Sequence, residues 1–317
     1  VTNQYFSTIL TPEKVSLREV EGRRFRVPVS EWTGAGHAEP KGGVAPYAVD
    51  VAVRGPEVTL EAGKEAVQTY SIYAGPRELR LLEQLGGGQG QMFNFGYFGF
   101  VSRILLSSMN GLKGLLGSYA AAIIILTICI KLILWPLQNK STESMKKMQE
   151  INPKVTELRA KYANDPQRMQ QEMIQLYKKH GANPFAGCIP MLIQIPIFFG
   201  FYSMLDKAVE LRGSEFLWVK DLSRPDTVGS LMGFPINVLP IAMAVTMLLQ
   251  MQLTPKTGDP AQQKMFMFMP LIFITFCYDF ASALALYWTV QNIISIVQLV
   301  ITNRKQGGSS QSAVATS

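Results

Sequence analysis

Hydrophobic and polar positions divide this chain into two unlike parts. Residues 1–114 mix apolar, polar and turn-forming residues, whereas residues 115–302 contain long apolar runs with few charges. Runs of that length are typical of membrane-spanning helices. The pattern predicts five spans, at about 115–137, 187–206, 234–253, 265–280 and 283–302.

The first part has the pattern of a β domain. Short runs alternate in polarity or are rich in β-branched residues, and Gly and Pro separate them: Tyr47–Val53, Glu57–Glu61 and Val67–Tyr73. Such runs predict antiparallel strands. Residues 1–90 are therefore expected to be part of a β-sandwich, with a short helix at 76–85 and a flexible glycine linker at 86–90.

Residues 91–114 are predicted to form a linker and an amphipathic helix. Apolar residues recur there at helical spacing, with Arg103 and Asn110 on other faces: Phe100, Ile104, Leu105 and Met109. This pattern favours a helix lying in the membrane interface. An ordinary surface helix packed on the β domain is the alternative.

The loops between the spans indicate the orientation of the chain. Residues 138–186 carry nine Lys and Arg residues, whereas the cations of 207–233 are balanced by acids. The positive-inside rule places 138–186, the 254–264 loop and the C-terminus in the cytoplasm. It places residues 1–90 outside, and 303–317 become a short flexible cytoplasmic tail.

The cytoplasmic segment 138–183 is predicted to be an antiparallel helical hairpin. Asp165 can cap a second helix, and Pro166 suits its first turn. Each helix has a methionine-containing apolar stripe, with Met145 and Met148 in the first and Met169 and Met173 in the second. The basic faces of the hairpin are either solvated surface or a docking site.

Charge and cysteine usage exclude some functions. The net charge of +7 does not come from a basic patch interleaved with aromatic residues, so nucleic acid is not predicted as a direct partner. Cys129, Cys188 and Cys277 are expected to be small buried hydrophobic residues. His37 and His180 have no companions at ligand spacing, so no metal site is predicted.

Lys131 is the one positive charge in the apolar stretch from Ala120 to Trp135 of the first predicted span. A cation near the bilayer centre costs roughly 2.5–3.5 kcal/mol and usually faces a bundle interior or a water-filled cavity. The alternative is that its ammonium reaches the headgroups near Pro136.

The other spans also contain polar residues. They are Thr127 on the same face as Lys131, Gln194 in the second span, Thr246 and Gln250 in the third, and Tyr287, Gln291, Ser295 and Gln298 along one face of the last. Hydrogen bonding between helices explains each one taken alone. Together with Lys131 they predict a shared hydrated cavity.

Catalytic arrangements have little support. The sequence has no Ser/His/Asp arrangement, no His-Glu-x-x-His motif, no pair of intramembrane acids and no phosphate-binding loop. The chain is therefore not predicted to be an enzyme, and no cofactor is predicted.

Four motifs closely resemble the bacterial YidC membrane protein insertases, members of the superfamily that includes the mitochondrial Oxa and chloroplast Alb insertases. The first motif is Ile-Leu-Trp-Pro-Leu at 133–137, followed by Lys140, Ser144 and Met145. The second is Asn-Pro-Phe-Ala-Gly-Cys-Ile-Pro-Met-Leu-Ile-Gln-Ile-Pro-Ile-Phe at 183–198. The third is Asp-Pro-Ala-Gln-Gln-Lys at 259–264, and the fourth is Phe-Met-Pro at 268–270. The resemblance covers residues 97–302. It implies a five-helix insertase core after the C-terminal part of a periplasmic domain, with the signal anchor and the first part of that domain missing.

The resemblance also implies a function. Such a protein inserts and helps to fold integral membrane proteins in the bacterial inner membrane, alone or with the Sec translocon, through a hydrophilic inner-leaflet groove with a cation at the position of Lys131. The groove residues would be Lys131, Thr127, Gln194, Gln250, Tyr287 and Gln291, and the four hairpin methionines would capture the substrate. Nascent membrane proteins, the translocon, the ribosome and lipids are the implied partners.

The chain departs from the family pattern at three places. Lys131 stands where bacterial members usually have Arg, which keeps the charge but loses the bidentate fork. Residues 280–284 read Phe-Ala-Ser-Ala-Leu instead of Phe-Pro-Ser-Gly-Leu, which predicts a less tightly fixed outer turn. The tail after Ile301 has only Arg304 and Lys305 as cations, so ribosome binding has weak support.

Two rival functions remain open from the sequence. A small-solute transporter or channel predicts internal repeats and a pathway open at both faces. An assembly factor would instead act only as a scaffold for a larger translocon.

Overall fold

The computed structural model describes residues 5–13, 17–34, 47–93, 95–182, 189–255 and 260–314. Side chains are not described at 32, 34, 91, 92, 190, 191, 260–267, 269 and 304–314. The chain divides into two compact units, Val1–Gln89 and Gly90–Ser317. The Asn183–Cys188 part of one sequence motif, His37 and Asp259 lie outside the described residues.

The first unit contains two small antiparallel sheets. β1 (Phe6–Pro12) pairs with β4 (Tyr70–Pro76), and β2 (Glu19–Arg26) pairs with β3 (Tyr47–Arg54). Two short helices, α1 (Val29–Gly34) and α2 (Leu79–Gln84), complete the unit. The described residues thus form strands in two separate pairs, and a sandwich remains a prediction.

One predicted strand of the first unit is wrong. Residues 57–61 alternate in polarity, but the structure has no regular secondary structure there. Alternation over so few residues is not sufficient, because a strand also needs a neighbouring strand to satisfy its backbone hydrogen bonds.

The second unit is helical. Its helices are α3 (Gly99–Leu116), α4 (Tyr119–Lys161), α5 (Pro166–Lys179), α6 (Ile189–Lys207), α7 (Val238–Leu253), α8 (Pro260–Cys277) and α9 (Ser282–Val314). A hairpin of β5 (Thr227–Leu231) and β6 (Phe234–Asn237) precedes α7. Helix α9 packs on α4 and α7, and α3 packs on α4 and α6.

Two described helices are long and apolar enough to cross a membrane. They are α4, which contains an 18-residue stretch with a mean hydropathy of 2.4, and the Ser282–Asn303 part of α9, which contains one with a mean hydropathy of 1.6. Helix α7 is apolar but shorter. The arrangement of five spans therefore stays a prediction, although helices lie near all five predicted positions.

Helix α4 joins the first predicted span and the first arm of the hairpin without a break. It has 43 residues and continues through Pro136 and Pro153. The predicted start of α5 is confirmed, because the Asp165 side chain accepts a hydrogen bond from the Arg168 backbone N–H at 3.0 Å and Pro166 is the first helical residue. The Lys154 Nζ on α4 lies 3.1 Å from the His180 Nε2 at the end of α5. Helix α5 therefore folds back along α4, and the two arms of the hairpin are antiparallel.

Helix α3 shows that apolar spacing alone did not identify its buried face. Leu105, Leu106 and Met109 are buried, whereas Phe100 and Ile104 are exposed although they were predicted on the same stripe. An apolar residue can face protein or lipid, and the sequence pattern is the same in both cases.

One further expectation is corrected by the structure. Cys277 is buried as expected, but Cys129 is exposed on α4, and Cys188 lies outside the described residues. At the turn before α9, the Ser282 and Ala283 backbone N–H groups donate to the carbonyls of Arg224 and Leu222 at 2.8 and 3.0 Å. A turn less tightly fixed than in the family stays a prediction.

Candidate functional site

Lys131 contacts the last helix through its ammonium group. It lies twelve residues after Tyr119, which is about 18 Å along α4 at a rise of about 1.5 Å per residue. Its Nζ donates a hydrogen bond to the Ser295 Oγ at 2.8 Å. The Ser295 hydroxyl in turn donates to the Gln291 backbone carbonyl at 2.9 Å. The cation is thus held between α4 and α9 by a neutral acceptor.

A second set of polar side chains joins α6 to α9. The Gln194 Nε2 donates to the Tyr287 hydroxyl and to the Gln291 Oε1, each at 3.1 Å. Tyr287 is buried, and its ring stacks on Phe201 with 4.1 Å between centroids. This packing fixes the tyrosine, which in turn helps to orient Gln194.

A third set lies farther along α4 and α9, toward the hairpin. The Gln298 Nε2 donates to the Trp135 backbone carbonyl at 3.1 Å and to the Asn139 Oδ1 at 2.9 Å. The Thr302 hydroxyl also donates to the Asn139 Oδ1, at 3.2 Å. These bonds connect α4 to α9 on the hairpin side of Lys131.

These three sets meet at a small pocket. Its lining residues are Lys131, Leu134, Leu137, Gln138, Ile193, Gln194 and Gln298. The volume available to the centre of a water-sized sphere is about 10 Å³, which is room for about one water molecule. The pocket is therefore much narrower than a groove that accommodates a polypeptide.

The charge of Lys131 has no acidic partner among the described residues. The ion pairs found in that part of the chain do not include Lys131, and its hydrogen-bond partner is a neutral hydroxyl. The Ser295 hydroxyl oxygen accepts a hydrogen bond from the ammonium without neutralising its charge. The pocket therefore has a positive potential that an anionic group can relieve.

The structure brings together four of the six predicted groove residues. Lys131, Gln194, Tyr287 and Gln291 belong to one hydrogen-bonded assembly with Ser295.

The other two predicted groove residues lie apart from this assembly. The Thr127 hydroxyl is buried and donates to the Ile123 carbonyl of its own helix at 2.7 Å. Gln250 lies on α7 and does not line the pocket.

Sequence reasoning left several members out of the predicted groove. Ser295 and Gln298 share a face with Tyr287 and Gln291, and that alignment was the signal for including them. Gln138 and Asn139 come directly after the first predicted span, which ends at 137. The sequence therefore assigns them to the hairpin and not to the groove. Helix α4 does not end there, so both belong to the helix that carries Lys131.

The four hairpin methionines are all partly exposed. Met145 and Met148 lie on α4, and Met169 and Met173 lie on α5. The Tyr177 hydroxyl lies 3.8 Å from the Met173 sulfur. The methionines do not contribute to the Lys131 pocket.

A family model described as "60Kd inner membrane protein" matches residues 111–309. Two described helices that are long and apolar enough to cross a membrane agree with the family match, and together they indicate a helical membrane protein. The chain belongs to this family of bacterial inner-membrane proteins, whose curated relatives bear the name "Membrane protein insertase YidC".

Three of these relatives illustrate the degree of similarity. The protein of Syntrophus aciditrophicus is 42% identical over 259 residues, covering 81% of this chain and 46% of the relative. That of Geobacter sulfurreducens is 40% identical over 253 residues, covering 80% and 46%. That of Cupriavidus necator is 39% identical over 286 residues, covering 90% and 50%. The chain thus spans about half the length of the curated relatives it matches.

One solved structure shares the fold. It is described as "Active YidC insertase crystal structure with the first transmembrane domain resolved". The match has a TM-score of 0.51 and 24% sequence identity, and it covers 84% of this chain and 59% of the other.

Proposed function

We propose that this protein inserts integral membrane proteins into the bacterial inner membrane and helps them to fold. The observation that carries the proposal is the Lys131 ammonium, which faces a pocket between helices and has a neutral hydroxyl as its hydrogen-bond partner. The names of the relatives support the same function.

The physical task of an insertase is to lower the cost of moving polar groups through hydrocarbon. Each unsatisfied backbone group there costs several kcal/mol. A polar site partway along α4 shortens the distance over which a translocating segment lacks hydrogen-bond partners. Lys131 attracts acidic residues of that segment, and Gln194, Tyr287 and Gln291 offer neutral partners.

The pocket must widen before it can receive a polypeptide. Room for about one water is far too little for an extended chain. The bonds from Gln298 to Trp135 and Asn139 are among those that must break as α4 and α9 separate. The substrate helix then leaves sideways into lipid, because burial of its apolar surface is favourable.

The cytoplasmic hairpin is proposed to make the first contact with the substrate. Met145, Met148, Met169 and Met173 are partly exposed, and methionine adapts to apolar partners of varied shape. This role needs the hairpin in the cytoplasm and residues 1–90 in the periplasm, as the cation distribution favours.

Several finer features belong to the same proposal. They are the inner-leaflet groove that contains Thr127 and Gln250, cooperation with the Sec translocon, contact with lipids, and ribosome binding, for which the two tail cations give weak support.

Charge reversal tests the role of Lys131. Purified protein is reconstituted in vesicles, and the insertion of a single-span substrate with an acidic translocated segment is measured by protease protection. Loss of a charge-assisted contact worth roughly 1.5–3 kcal/mol predicts at least about a tenfold slower insertion for Lys131→Ala. Lys131→Glu should be slower still, and Lys131→Arg should retain activity.

The matched control is Lys140→Ala, which removes an exposed cation from the same helix and should leave insertion unchanged. A substrate with a basic translocated segment should be inserted better by Lys131→Glu than by the unmodified protein. Undiminished insertion of the acidic substrate by both Lys131→Ala and Lys131→Glu would exclude the electrostatic role. No insertion by the unmodified protein, with retained translocon binding, would favour a scaffold.

A further inference from the structure

Two neighbouring turns between α6 and α7 present large apolar side chains at their tips. The first is closed by two backbone hydrogen bonds of 2.8 Å between Phe216 and Val219, with Leu217 at its tip. The second is the β5–β6 hairpin, with Met232 and Gly233 at its tip. Leu217 is 76% exposed and Met232 is 94% exposed.

Both apolar tip residues have an unfavourable backbone conformation. Leu217 and Met232 each have a φ of 51°, and the next residue of the hairpin turn, Gly233, has a φ of 84°. A left-handed conformation costs a residue with a Cβ roughly 1–2 kcal/mol. Hairpin turns of this kind prefer Asn, Asp or Gly at their first central position. Met232 brings this cost although its side chain is almost fully exposed.

The hairpin is also unusually apolar for a surface feature. Val228, Leu231 and Phe234 are exposed around Met232, and Leu231 pairs directly with Phe234 across the two strands. The sequence contains no charged residue from Thr227 to Leu253, a range that includes both strands and all of α7. Contiguous exposed apolar surface of this kind marks contact with a partner or a membrane.

The length of α7 favours the membrane. Its 16 residues span about 24 Å at a rise of about 1.5 Å per residue. The hydrocarbon core is about 30 Å thick. Helix α7 is therefore about 6 Å too short, and the apolar hairpin continues directly into it at Asn237.

Buried polar contacts hold the hairpin at the level where α7 begins. The Asp226 Oδ2 accepts hydrogen bonds from the Trp218 indole N–H at 3.0 Å and from the Leu239 backbone N–H at 2.7 Å. The fully buried Asn237 side chain donates to the Tyr278 carbonyl at 2.7 Å. Trp and Tyr are enriched at the membrane–water interface, which is consistent with this level.

We infer that the β5–β6 hairpin is a lipid anchor. Its apolar tip, formed by Val228, Leu231, Met232 and Phe234, enters the headgroup and upper acyl region of the leaflet at which α7 begins. The hairpin thereby extends the apolar length of a helix that is too short, and Leu217 makes a second contact with the same leaflet. This inference does not depend on the insertase activity.

Site-specific fluorescence in vesicles tests the anchor. Cys129, Cys188 and Cys277 are first replaced in the full chain, and Met232→Cys is labelled with an environment-sensitive fluorophore. Quenching is measured with doxyl groups near the lipid headgroups and with aqueous iodide. Lys220→Cys, at an exposed position of the same loop, is the matched control. Leu217→Cys is a second test position.

The label at position 232 should be quenched by doxyl lipid at least twofold more strongly than the label at 220, and it should be protected from iodide. Equal iodide quenching at 232 and 220 would show that the tip lies in water and would overturn the anchor. Protection from both quenchers would overturn it as well, because the tip would then be covered by protein, either residues 1–89 or a partner.

Discussion

The Nζ of Lys131 and the Oγ of Ser295 lie 2.8 Å apart, on helices separated by more than a hundred residues in sequence. The serine is an inner residue of α9 and is 6% exposed. Its hydroxyl satisfies the ammonium while leaving the charge unpaired. This contact explains how a partly buried lysine is tolerated and yet remains attractive to an acidic group.

Removal of this hydroxyl should destabilise the protein through Lys131. Ser295→Ala leaves the ammonium without its acceptor, which costs about 1–3 kcal/mol. Unfolding in detergent micelles measures the cost. The same substitution in a Lys131→Met background should cost much less, and an equal cost in both backgrounds would show that Ser295 does not act through Lys131.

Gln298 should control access to the pocket. Gln298→Leu removes the bonds to Trp135 and Asn139, so α4 and α9 should separate more often near these residues. In a chain whose three native cysteines are replaced, we expect a Gln138→Cys reporter to react several-fold faster with a water-soluble thiol reagent when Gln298 is replaced. Thr302→Val is the control, because it removes the 3.2 Å bond to Asn139 and a bond to the Gln298 backbone carbonyl of its own helix, but keeps the Gln298 side-chain bonds to Trp135 and Asn139. An unchanged reaction rate would argue against a closing role for Gln298.

Gly200 should be required for close packing between α3 and α6. A Cβ at this position would lie 2.6 Å from the Val101 Cγ1 and 3.4 Å from the Leu105 Cδ1. Gly200→Ala should therefore destabilise the protein by about 1–3 kcal/mol, as measured by thermal unfolding in detergent. Val101→Ala should restore most of the loss.

Gly111→Ala is the matched control for Gly200. A Cβ at Gly111 would meet no atom within 4 Å, and the residue is in the interior of α3. This substitution should stabilise the protein by roughly 0.5–1 kcal/mol, because alanine loses less backbone entropy than glycine. A similar loss of stability at both positions would contradict the packing explanation.

Asp226 should connect the turn between Phe216 and Val219, which contains Trp218, to the start of α7. Its carboxylate is buried and accepts hydrogen bonds from both elements. Asp226→Ala leaves the buried Leu239 backbone N–H and the partly exposed Trp218 indole N–H without their acceptor, so a loss of about 1–3 kcal/mol is expected. Trp218 emission should also change. Trp218→Phe should abolish this emission change but retain most of the stability loss caused by Asp226→Ala. A loss below about 1 kcal/mol would show that the carboxylate does not join these elements.

Local signals in the sequence were sufficient for several elements. Asp165 and Pro166 predict the start of α5, since a cap and a first-turn proline act over three or four residues. The strand at Tyr47–Arg54 follows from its own composition. The failure at 57–61 has the opposite cause, because that segment has a strand pattern but lacks a paired strand.

The candidate site was only partly predictable. The alignment of Tyr287, Gln291, Ser295 and Gln298 on one face of α9 can be derived from helical periodicity. That Gln194 meets Tyr287 and Gln291 depends on how α6 packs on α9, which the periodicity of either helix alone does not determine. Thr127 shares a face of α4 with Lys131, but its hydroxyl donates to its own helix, and helical periodicity does not distinguish these two outcomes.

The sequence by itself determined the apolar helices, the unusual position of Lys131 and the turn between α4 and α5. These features depend on hydropathy and on interactions between residues close in the chain. The tertiary structure decided that Ser295 holds the ammonium, that Gln298 joins α9 to α4, and that the pocket has room for about one water. Contacts between helices far apart in sequence depend on which faces meet and how closely they pack, and those are properties of the whole assembly.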